Sequence, residues 1–436
     1  MSEQLKPRNV DNLQPSTLNP QLILRARVVL PLRQPPIEDG AVVVSGERIT
    51  AVGHWKQIRS RYSPAIVTDL GEMILLPGLV NAHCHLDYTH MAGLFPPQRS
   101  FCDWIKLITT EKAHWNYSDF AESWIDGAKM LLRTGTTTVG DIEAVPELLP
   151  DVWNATPLRV ISFLEMTGVR SRRHPGVILE EALKTIETLP RGRCMAAMSP
   201  HAPYSTTPVL MKAAASASRQ RRWPMAVHVS ESLTEFEMFM HGHGEMFRWL
   251  SRNERDMSDC GDTSPVQQMG RLGALNRRLL AVHVNYLARG DLRMLADSET
   301  NVVHCPRSRD YFRHSEFPWK SLTRAGVNVC LGTDSLATVR KQRRQTVQLS
   351  MFEEMQLFAA THSTVHPEKI LNMATVNGAR ALGLEGEAGE LGRGAFADMI
   401  AVPAKTKLAD VHEAVIHHSG DVATSMIGGQ WAFAPE

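Results

Sequence analysis

The chain has 436 residues, of which 47 are Lys or Arg and 46 are Asp or Glu, so its net charge is +1. This balance leaves no broad basic field, which argues against nucleic acid or an anionic membrane as a partner and favours a small-molecule substrate. Hydrophobic residues make up 43% of the chain and charged residues 21%, which is typical of a soluble globular protein with a sizeable core.

The first residues and the cysteines indicate the compartment. Residues 1–20 are polar and lack the apolar segment of a signal peptide, and no stretch reaches the roughly 20 apolar residues of a membrane span. The six cysteines are scattered without paired spacing, which favours buried, reduced thiols. We therefore expect a cytoplasmic protein that does not act at a membrane.

Short β-prone segments occur at both ends of the chain. They are rich in Val and Ile and lie at residues 21–32, 40–45, 49–52, 398–402 and 421–433. Neither set is long enough to bury a core alone, so we expect residues 1–72, with a flexible N-terminus, and residues 386–436 to meet in one small β-sandwich. The alternative is two unrelated additions to a larger domain.

Between these ends, residues 73–385 alternate between strand-like and helix-like patterns. Apolar strands are predicted at 74–83, 136–142, 158–166, 194–201, 225–230, 279–285, 301–305 and 327–333. Helical spacing of apolar residues lies between them, for example at 119–133, 207–221 and 233–250. Eight strands with intervening helices predict the α/β class and a (β/α)8 barrel, whose chemistry lies at the C-terminal ends of the strands.

The predicted strand ends carry histidines. His83 and His85 are separated by one residue at the end of the first strand, where positions i and i+2 share a face. Later strands end in histidines and finally in an aspartate, at His201, His228, His283, His304 and Asp334. A single histidine at a strand end is usually a core residue. When five strands end in histidine, however, each buried imidazole needs its own hydrogen-bond partner, which core packing does not readily supply. A metal site explains the set better.

The motifs around these residues resemble the amidohydrolase superfamily. They are Pro77-Gly78-Leu79-Val80-Asn81-Ala82-His83, Ser199-Pro200-His201-Ala202-Pro203-Tyr204, His228-Val229-Ser230-Glu231, Val303-His304-Cys305-Pro306 and Leu331-Gly332-Thr333-Asp334. The resemblance covers nearly the whole chain, and it is to the branch of deaminases and chlorohydrolases that act on adenosine-type, guanine, cytosine and triazine rings. Binuclear members carry a lysine at the end of strand four, where this chain has Ser199 and His201, so the resemblance implies one metal ion.

The resemblance also implies site residues. His83, His85, His228 and Asp334 would bind one divalent metal, which we expect to be zinc, with iron as the alternative. Glu231, His283 and Asp334 would be catalytic: Glu231 as proton shuttle, His283 in orienting the water, and Asp334 as first proton acceptor. The alternative for His283 is direct ligation of the metal. The alternative for Glu231 is a cap for the helix that begins near Thr234.

The implied substrate is a 6-aminopurine nucleoside derivative, of the S-adenosylhomocysteine, methylthioadenosine or aminodeoxyfutalosine type, with the last favoured. We expect Trp104, Glu165, His201, His304 and Arg307 to bind it. The alternatives are that Trp104 packs in the core and that Glu165 and Arg307 pair with each other. Guanine, cytosine and triazine aminohydrolases, a chlorohydrolase and a non-catalytic scaffold remain alternatives. We also expect a homodimer and a specificity loop at residues 252–272.

Overall fold

The computed structural model describes residues 21–62, 65–96, 98–169, 173–342, 344–403 and 405–435. The expected flexible N-terminus lies outside these residues. Within the described ranges, none of the helices has both the length and the apolar character needed to cross a membrane.

The described strands form two sheets. In chain order they are β1 (Leu22–Val29), β2 (Ile37–Ser45), β3 (Arg48–His54), β4 (Ile66–Asp69), β5 (Met73–Pro77), β6 (Leu79–Cys84), β7 (Thr136–Glu143), β8 (Arg159–Met166), β9 (Met195–Pro200), β10 (Met225–Val229), β11 (Leu279–His283), β12 (Asn301–His304), β13 (Val329–Leu331), β14 (Met399–Pro403), β15 (Thr424–Ile427) and β16 (Gln430–Phe433). Strands β6 to β13 form one sheet in sequential order, and the other eight form the second.

Sixteen α-helices accompany the described strands. They are α1 (Trp55–Arg61), α2 (Phe101–Lys112), α3 (Tyr117–Arg133), α4 (Leu149–Asn154), α5 (Pro175–Thr188), α6 (Pro208–Arg221), α7 (Leu233–His241), α8 (Glu245–Arg252), α9 (Pro265–Arg271), α10 (Asp291–Asp297), α11 (Pro306–Phe312), α12 (Trp319–Arg324), α13 (Met351–Thr361), α14 (Pro367–Met373), α15 (Val376–Ala381) and α16 (Val411–Ile416). The predicted helix 233–250 is two helices, because Gly242 and Gly244 adopt left-handed backbone between α7 and α8.

The sheet from β6 to β13 is the predicted barrel. All its neighbouring strands are parallel. It closes where the Asp334 amide donates to the His83 carbonyl at 3.1 Å and Cys84 bridges Asp334 in parallel. Apolar residues that alternate along the strands fill the inside of the barrel, and the others pack under the helices. The (β/α)8 fold is therefore confirmed.

The second sheet joins the two chain ends, as predicted. Its strand order is β16-β15-β14-β5-β1-β2-β3, with β4 paired to β1, and it has a hydrophobic core of its own. The chain enters the barrel later than expected, because β5 pairs with β1 and β14 and only β6 belongs to the barrel. Gly78 separates β5 from β6, and a Cβ atom there would lie 2.0 Å from the Thr137 hydroxyl.

A buried ion pair connects the second sheet to the barrel. Arg159 at the start of β8 donates to Asp398 beside β14, with Nε and Oδ2 3.0 Å apart and both side chains less than a tenth exposed. Asp398 also accepts from the Gly428 amide at 2.7 Å, and the Arg159 guanidinium stacks on the Phe396 ring. These contacts fix the sheet against the N-terminal side of the barrel, away from the strand ends that carry histidine.

Candidate active site

Four buried side chains converge at the C-terminal end of the barrel. His83 is the penultimate residue of β6, His85 directly follows that strand, His228 lies on β10, and Asp334 follows β13. The Nε2 atoms of His85 and His228 are 3.4 Å apart, and Asp334 Oδ1 lies 3.7 Å from the Nε2 atoms of both His83 and His85. The three histidines can place one ligand atom each within 4.8 Å of one another. A single small cation could contact all four side chains.

The protonation states of these groups fit a metal site. Burial lowers the pKa of His85 and His228 well below the ordinary value, so both imidazoles are neutral, which is the form that binds a metal. Burial opposes ionisation of Asp334, but the facing imidazoles of His83 and His283 outweigh it and lower the pKa of this carboxyl. His83 Nε2 is buried without a hydrogen-bond partner among the described residues. The donor set, three imidazoles and one carboxylate, fits a divalent ion such as zinc.

Glu231 and His283 lie beside this cluster. Glu231 Oε1 is 3.5 Å from His283 Nε2, and both side chains are buried. Burial raises the pKa of Glu231 well above its ordinary value, and the carboxylates of Asp334 and Glu235 raise it further. Burial lowers the pKa of His283 to about 3, so this imidazole is neutral. Burial therefore favours the protonated form of Glu231, which can donate a proton, next to a neutral imidazole.

The helix-cap alternative for Glu231 is wrong. The residue that caps α7 is Ser232, whose hydroxyl accepts from the Glu235 amide at 3.2 Å. The Glu235 carboxylate in turn accepts from the amides of Ser230 and Glu231, at 3.1 and 2.8 Å. The Glu231 side chain takes no part in this cap and lines the cavity instead.

Four non-glycine residues at the strand ends have left-handed backbone. These are Ser230 (φ 54°), His283 (φ 74°), Val284 (φ 48°) and Asp334 (φ 54°). Leu280 and Val282 point into the barrel, so strict alternation along β11 would turn the His283 side chain outward. With its left-handed backbone, His283 instead places its side chain beside Glu231. Each such conformation costs roughly 1–3 kcal/mol, and strain of this kind clusters at functional sites.

A cavity of about 310 Å³ opens above the cluster. Its floor includes His85, His228, Glu231 and Asp334. Its walls come largely from helices α2 and α8 and from the loops that follow β8 and β9, with Trp104, Ile105, Ile108, Lys112, Glu165, His201, Tyr204, Trp249 and Leu250 among the lining residues. The shape suits a flat ring held between apolar walls with polar groups at the floor.

The structure places three of the five predicted substrate-binding residues on this cavity, namely Trp104, Glu165 and His201. The other two predictions, His304 and Arg307, are wrong as cavity contacts. The His304 ring stacks on Phe317 with centroids 3.8 Å apart.

Arg307 lies in an ion-pair network instead. Its guanidinium pairs with Glu354 at 2.5 Å and with Glu353, so the suggested pairing of Arg307 with Glu165 is also wrong. The sequence did not show this arrangement because the acidic partners lie on α13, more than 40 positions later in the chain.

The segment 252–272 does not contribute residues to the cavity lining. Arg255 is buried there, pairs with Asp259 at 2.7 Å, and donates to the carbonyls of Pro203 and Tyr204 at 3.0 and 3.1 Å. These contacts hold the loop after β9 in place. The predicted specificity loop therefore acts on the cavity only through the residues that it supports.

Tyr88 and Lys112 are among the polar cavity residues that the sequence reasoning missed. Tyr88 stacks on His85, with ring centroids 4.9 Å apart, and its hydroxyl contacts the Lys112 ammonium. Trp104, Ile108 and Lys112 recur at four-residue spacing along α2, so the helical period marks Lys112 as a residue on the cavity side of α2.

Comparison with known proteins agrees with this geometry. The profile of the Amidohydrolase family matches residues 74–432. The chain belongs to the amidohydrolase family. This amidohydrolase is 30% identical over 420 residues to the 5-methylthioadenosine/S-adenosylhomocysteine deaminase of Syntrophobacter fumaroxidans, covering 90% of this chain and 88% of the relative. It is 27% identical over 354 residues to the aminodeoxyfutalosine deaminase of Deinococcus radiodurans, covering 79% and 81%.

A solved structure with a similar fold is an adenosine deaminase from Xanthomonas campestris with bound zinc. It superimposes on the amidohydrolase with a TM-score of 0.81 at 24% sequence identity, over 95% of this chain and 93% of that one. At this identity the likeness concerns the fold, which is again a barrel with a sheet domain. The family assignment itself makes the protein a hydrolase that acts on carbon–nitrogen bonds.

Proposed function

We propose that this amidohydrolase removes the amino group of a 6-aminopurine nucleoside by hydrolysis and releases ammonia. The observation that carries the proposal is the placement of the buried Glu231 carboxyl, 3.5 Å from His283 and beside a buried three-histidine, one-carboxylate cluster, on the floor of a ring-sized cavity. Such a site can supply a nucleophilic water, a base and an acid to one face of a heterocycle.

His83, His85, His228 and Asp334 are the residues that would hold the metal, for which we propose zinc. Zinc bound by neutral imidazoles and one carboxylate lowers the pKa of a water in its open position toward neutrality. Iron(II) accepts similar ligands and is the alternative that metal analysis would reveal.

The side chains then divide the proton transfers. Asp334, which is ionised, accepts a proton from the attacking water as the new carbon–oxygen bond forms at the carbon that carries the amino group. Glu231 donates its proton to the adjacent ring nitrogen. His283 donates a hydrogen bond to the developing negative charge. The proton held by Asp334 passes to the amino group, the carbon–nitrogen bond breaks, and ammonia leaves. The remaining proton of the added hydroxyl returns to Glu231 as the 6-oxo group forms, which restores the acid for the next turnover.

The walls of the cavity would hold the ring. Trp104 and Ile108 offer apolar surface on one side, and His201 offers a polar edge, with its Nδ1 fixed by the Ser205 hydroxyl at 2.6 Å. The relatives are named for methylthioadenosine, S-adenosylhomocysteine and aminodeoxyfutalosine. These three compounds share a 6-aminopurine ribonucleoside and differ in the 5′ substituent. This common part supports the substrate class, whereas the 5′ group is left to experiment, with aminodeoxyfutalosine as our first choice.

A substrate panel tests the proposal. Zinc-loaded protein is assayed for ammonia release with adenosine, methylthioadenosine, S-adenosylhomocysteine, aminodeoxyfutalosine, guanine, cytosine and an aminotriazine. We expect turnover of at least one adenine nucleoside and none of the free bases. Turnover of guanine, cytosine or the triazine alone would refute the nucleoside assignment but leave a deaminase. No turnover of any compound, with no bound metal, would support the scaffold alternative.

We further propose the domain division expected from the sequence, 1–72, 73–385 and 386–436, with the first boundary moved to Gly78 because β5 belongs to the second sheet. We also propose a homodimer and a cytoplasmic location without nucleic-acid binding. The near-zero net charge supports the last point. Light scattering after size exclusion tests the dimer, since a mass of one chain, 48.6 kDa, would contradict it.

A further inference from the structure

The backbone turn that carries Glu231 is held by two buried side chains that lie outside the cavity. Glu235 lies in the first turn of α7 and is fully buried, and Asn285 lies two residues after the end of β11 and is 5% exposed. Neither residue is among the described residues that line the cavity, so neither is placed to contact a ring bound there. Their hydrogen bonds go instead to the backbone at and beside Glu231.

The Glu235 carboxylate uses both of its oxygens on this turn. Oε1 accepts from the Ser230 amide at 3.1 Å, and Oε2 accepts from the Glu231 amide at 2.8 Å. Two successive amides can point at one carboxylate because Ser230 has left-handed backbone, and turns of this kind form a concave anion site. In an ordinary capping box, the side chain of the third helical residue returns to the amide of the cap residue, which here is Ser232. Glu235 reaches further back along the chain and holds the residue that carries the acid.

Asn285 holds the opposite side of the same turn. Its Nδ2 donates to the Glu231 carbonyl at 2.8 Å, and its backbone amide donates to the Ser230 carbonyl at 3.0 Å. Asn285 Oδ1 is buried without a hydrogen-bond partner among the described residues, so the bond to Glu231 is the one described hydrogen bond of this side chain. Because His283 lies two residues before Asn285, the same segment also carries the imidazole that faces Glu231.

Glu235 and Asn285 together therefore form a clamp on the backbone of Glu231. The amide and the carbonyl of Glu231 are both bonded to side chains from other parts of the fold. The Glu231 carboxyl itself makes one described contact, with His283 Nε2 at 3.5 Å. A carboxyl with one long contact takes its direction mainly from its backbone. A displacement of about 1 Å at a reacting group can lower a rate about 10²-fold, so the clamp bears directly on proton transfer.

We propose that Glu235 and Asn285 are positioning residues that orient the Glu231 carboxyl toward the substrate. This inference rests on the proposed function, because it assigns a role that acts through the proton donor of that reaction. The alternative is that the two residues only stabilise the fold. A positioning role lowers kcat only while Glu231 can transfer a proton, whereas a purely structural role changes stability or metal content whatever side chain occupies position 231.

The test measures Glu235→Gln and Asn285→Leu both in the wild type and in Glu231→Gln, with zinc-loaded protein and the nucleoside that the wild type deaminates fastest. Glutamine keeps the volume of Glu235 but replaces one acceptor oxygen with a donor, and leucine nearly keeps the volume of Asn285 but removes its donor. In the wild type we expect each change to lower kcat about 10-fold to 10²-fold and to change KM less than about threefold. In Glu231→Gln each change should lower kcat less than about threefold, because the proton donor is already absent.

Glu237→Gln is the matched control, because it removes a carboxylate from α7 outside the cavity lining. It should leave kcat unchanged in both backgrounds. Zinc content and unfolding by urea establish that each variant is loaded and folded. If Glu235→Gln does not fold, Asn285→Leu gives the same comparison by itself, since it acts on the same residue from the other side of the turn.

Wild-type kcat in the clamp variants, at full zinc content, would refute the positioning role. An equal loss of kcat in the two backgrounds would also refute it, as would a loss of zinc that accounts for the lost turnover. If the wild type deaminates no adenine nucleoside, the proposed function fails, and the positioning role fails with it. The activity of the wild type therefore distinguishes the two failures.

Discussion

Replacing Glu231 with glutamine isolates the proposed proton donor. Glutamine has nearly the same shape as glutamate and, like the protonated carboxyl that burial favours, carries no charge. Its one described side-chain contact is His283 Nε2 at 3.5 Å, so folding and metal content should not change. What is lost is the ability to give and take a proton.

The expected loss follows from that single function. General acid–base catalysis contributes about 10² to 10⁴ in rate, so kcat should fall at least about 10²-fold, which corresponds to about 2.7 kcal/mol in activation free energy. KM should change little, because the amide still fills the same volume. Glu237→Gln, on helix α7 and outside the cavity lining, is the matched control and should retain wild-type turnover.

The assay follows ammonia release and the ultraviolet change from 6-aminopurine to 6-oxopurine, at saturating substrate. Zinc content is measured in the same preparations. Unchanged kcat in Glu231→Gln, with full metal loading, would refute the proton-donor role. A loss of both turnover and zinc would show that Glu231 holds the metal site together rather than transferring protons.

Four other substitutions probe the metal site and the fold. His228→Ala and Asp334→Ala should stay folded by circular dichroism while zinc content and turnover are lost; a variant that keeps full activity would contradict the ligand assignment. Gly332→Ala should also weaken metal binding, measured by zinc titration, because its Cβ would lie 2.7 Å from the His83 carbonyl oxygen; wild-type affinity would refute this clash. Asp398→Ala should cost about 3–5 kcal/mol in the free energy of unfolding by urea, since it leaves its buried arginine unpaired, and a cost below about 1 kcal/mol would contradict that.

The sequence determined the barrel and the location of the site. Parallel strands buried on both sides read as short apolar runs, and each run predicted from 136 to 305 lies within about two residues of an observed strand. The motif residues come directly after these runs, at the strand ends that a barrel brings together. His83, His85, His228 and Asp334 were predicted to converge for this local reason, and the structure brings them together.

Only the tertiary structure decided how far those strands extend and which polar side chains face the cavity. Gly78 divides one apolar run between two sheets, because Thr137 packs against it. From the sequence alone, the charge of Arg307 could serve to bind substrate. In the structure, Glu353 and Glu354 neutralise it, and they lie on a helix that is distant in sequence. Ion pairs depend on the distance between side chains in the folded protein, and the spacing of residues along the sequence does not give the distance between different helices and strands.

The same reason explains Lys112 and Glu165. Each occupies an ordinary position in its own element, one at the end of a helix and the other at the end of a strand. Local patterns set the helix, the strand and the side that each residue faces. That the two charges share one cavity wall, and that Tyr88 holds Lys112 beside His85, follows from the packing of α2 over the barrel, which no local pattern encodes.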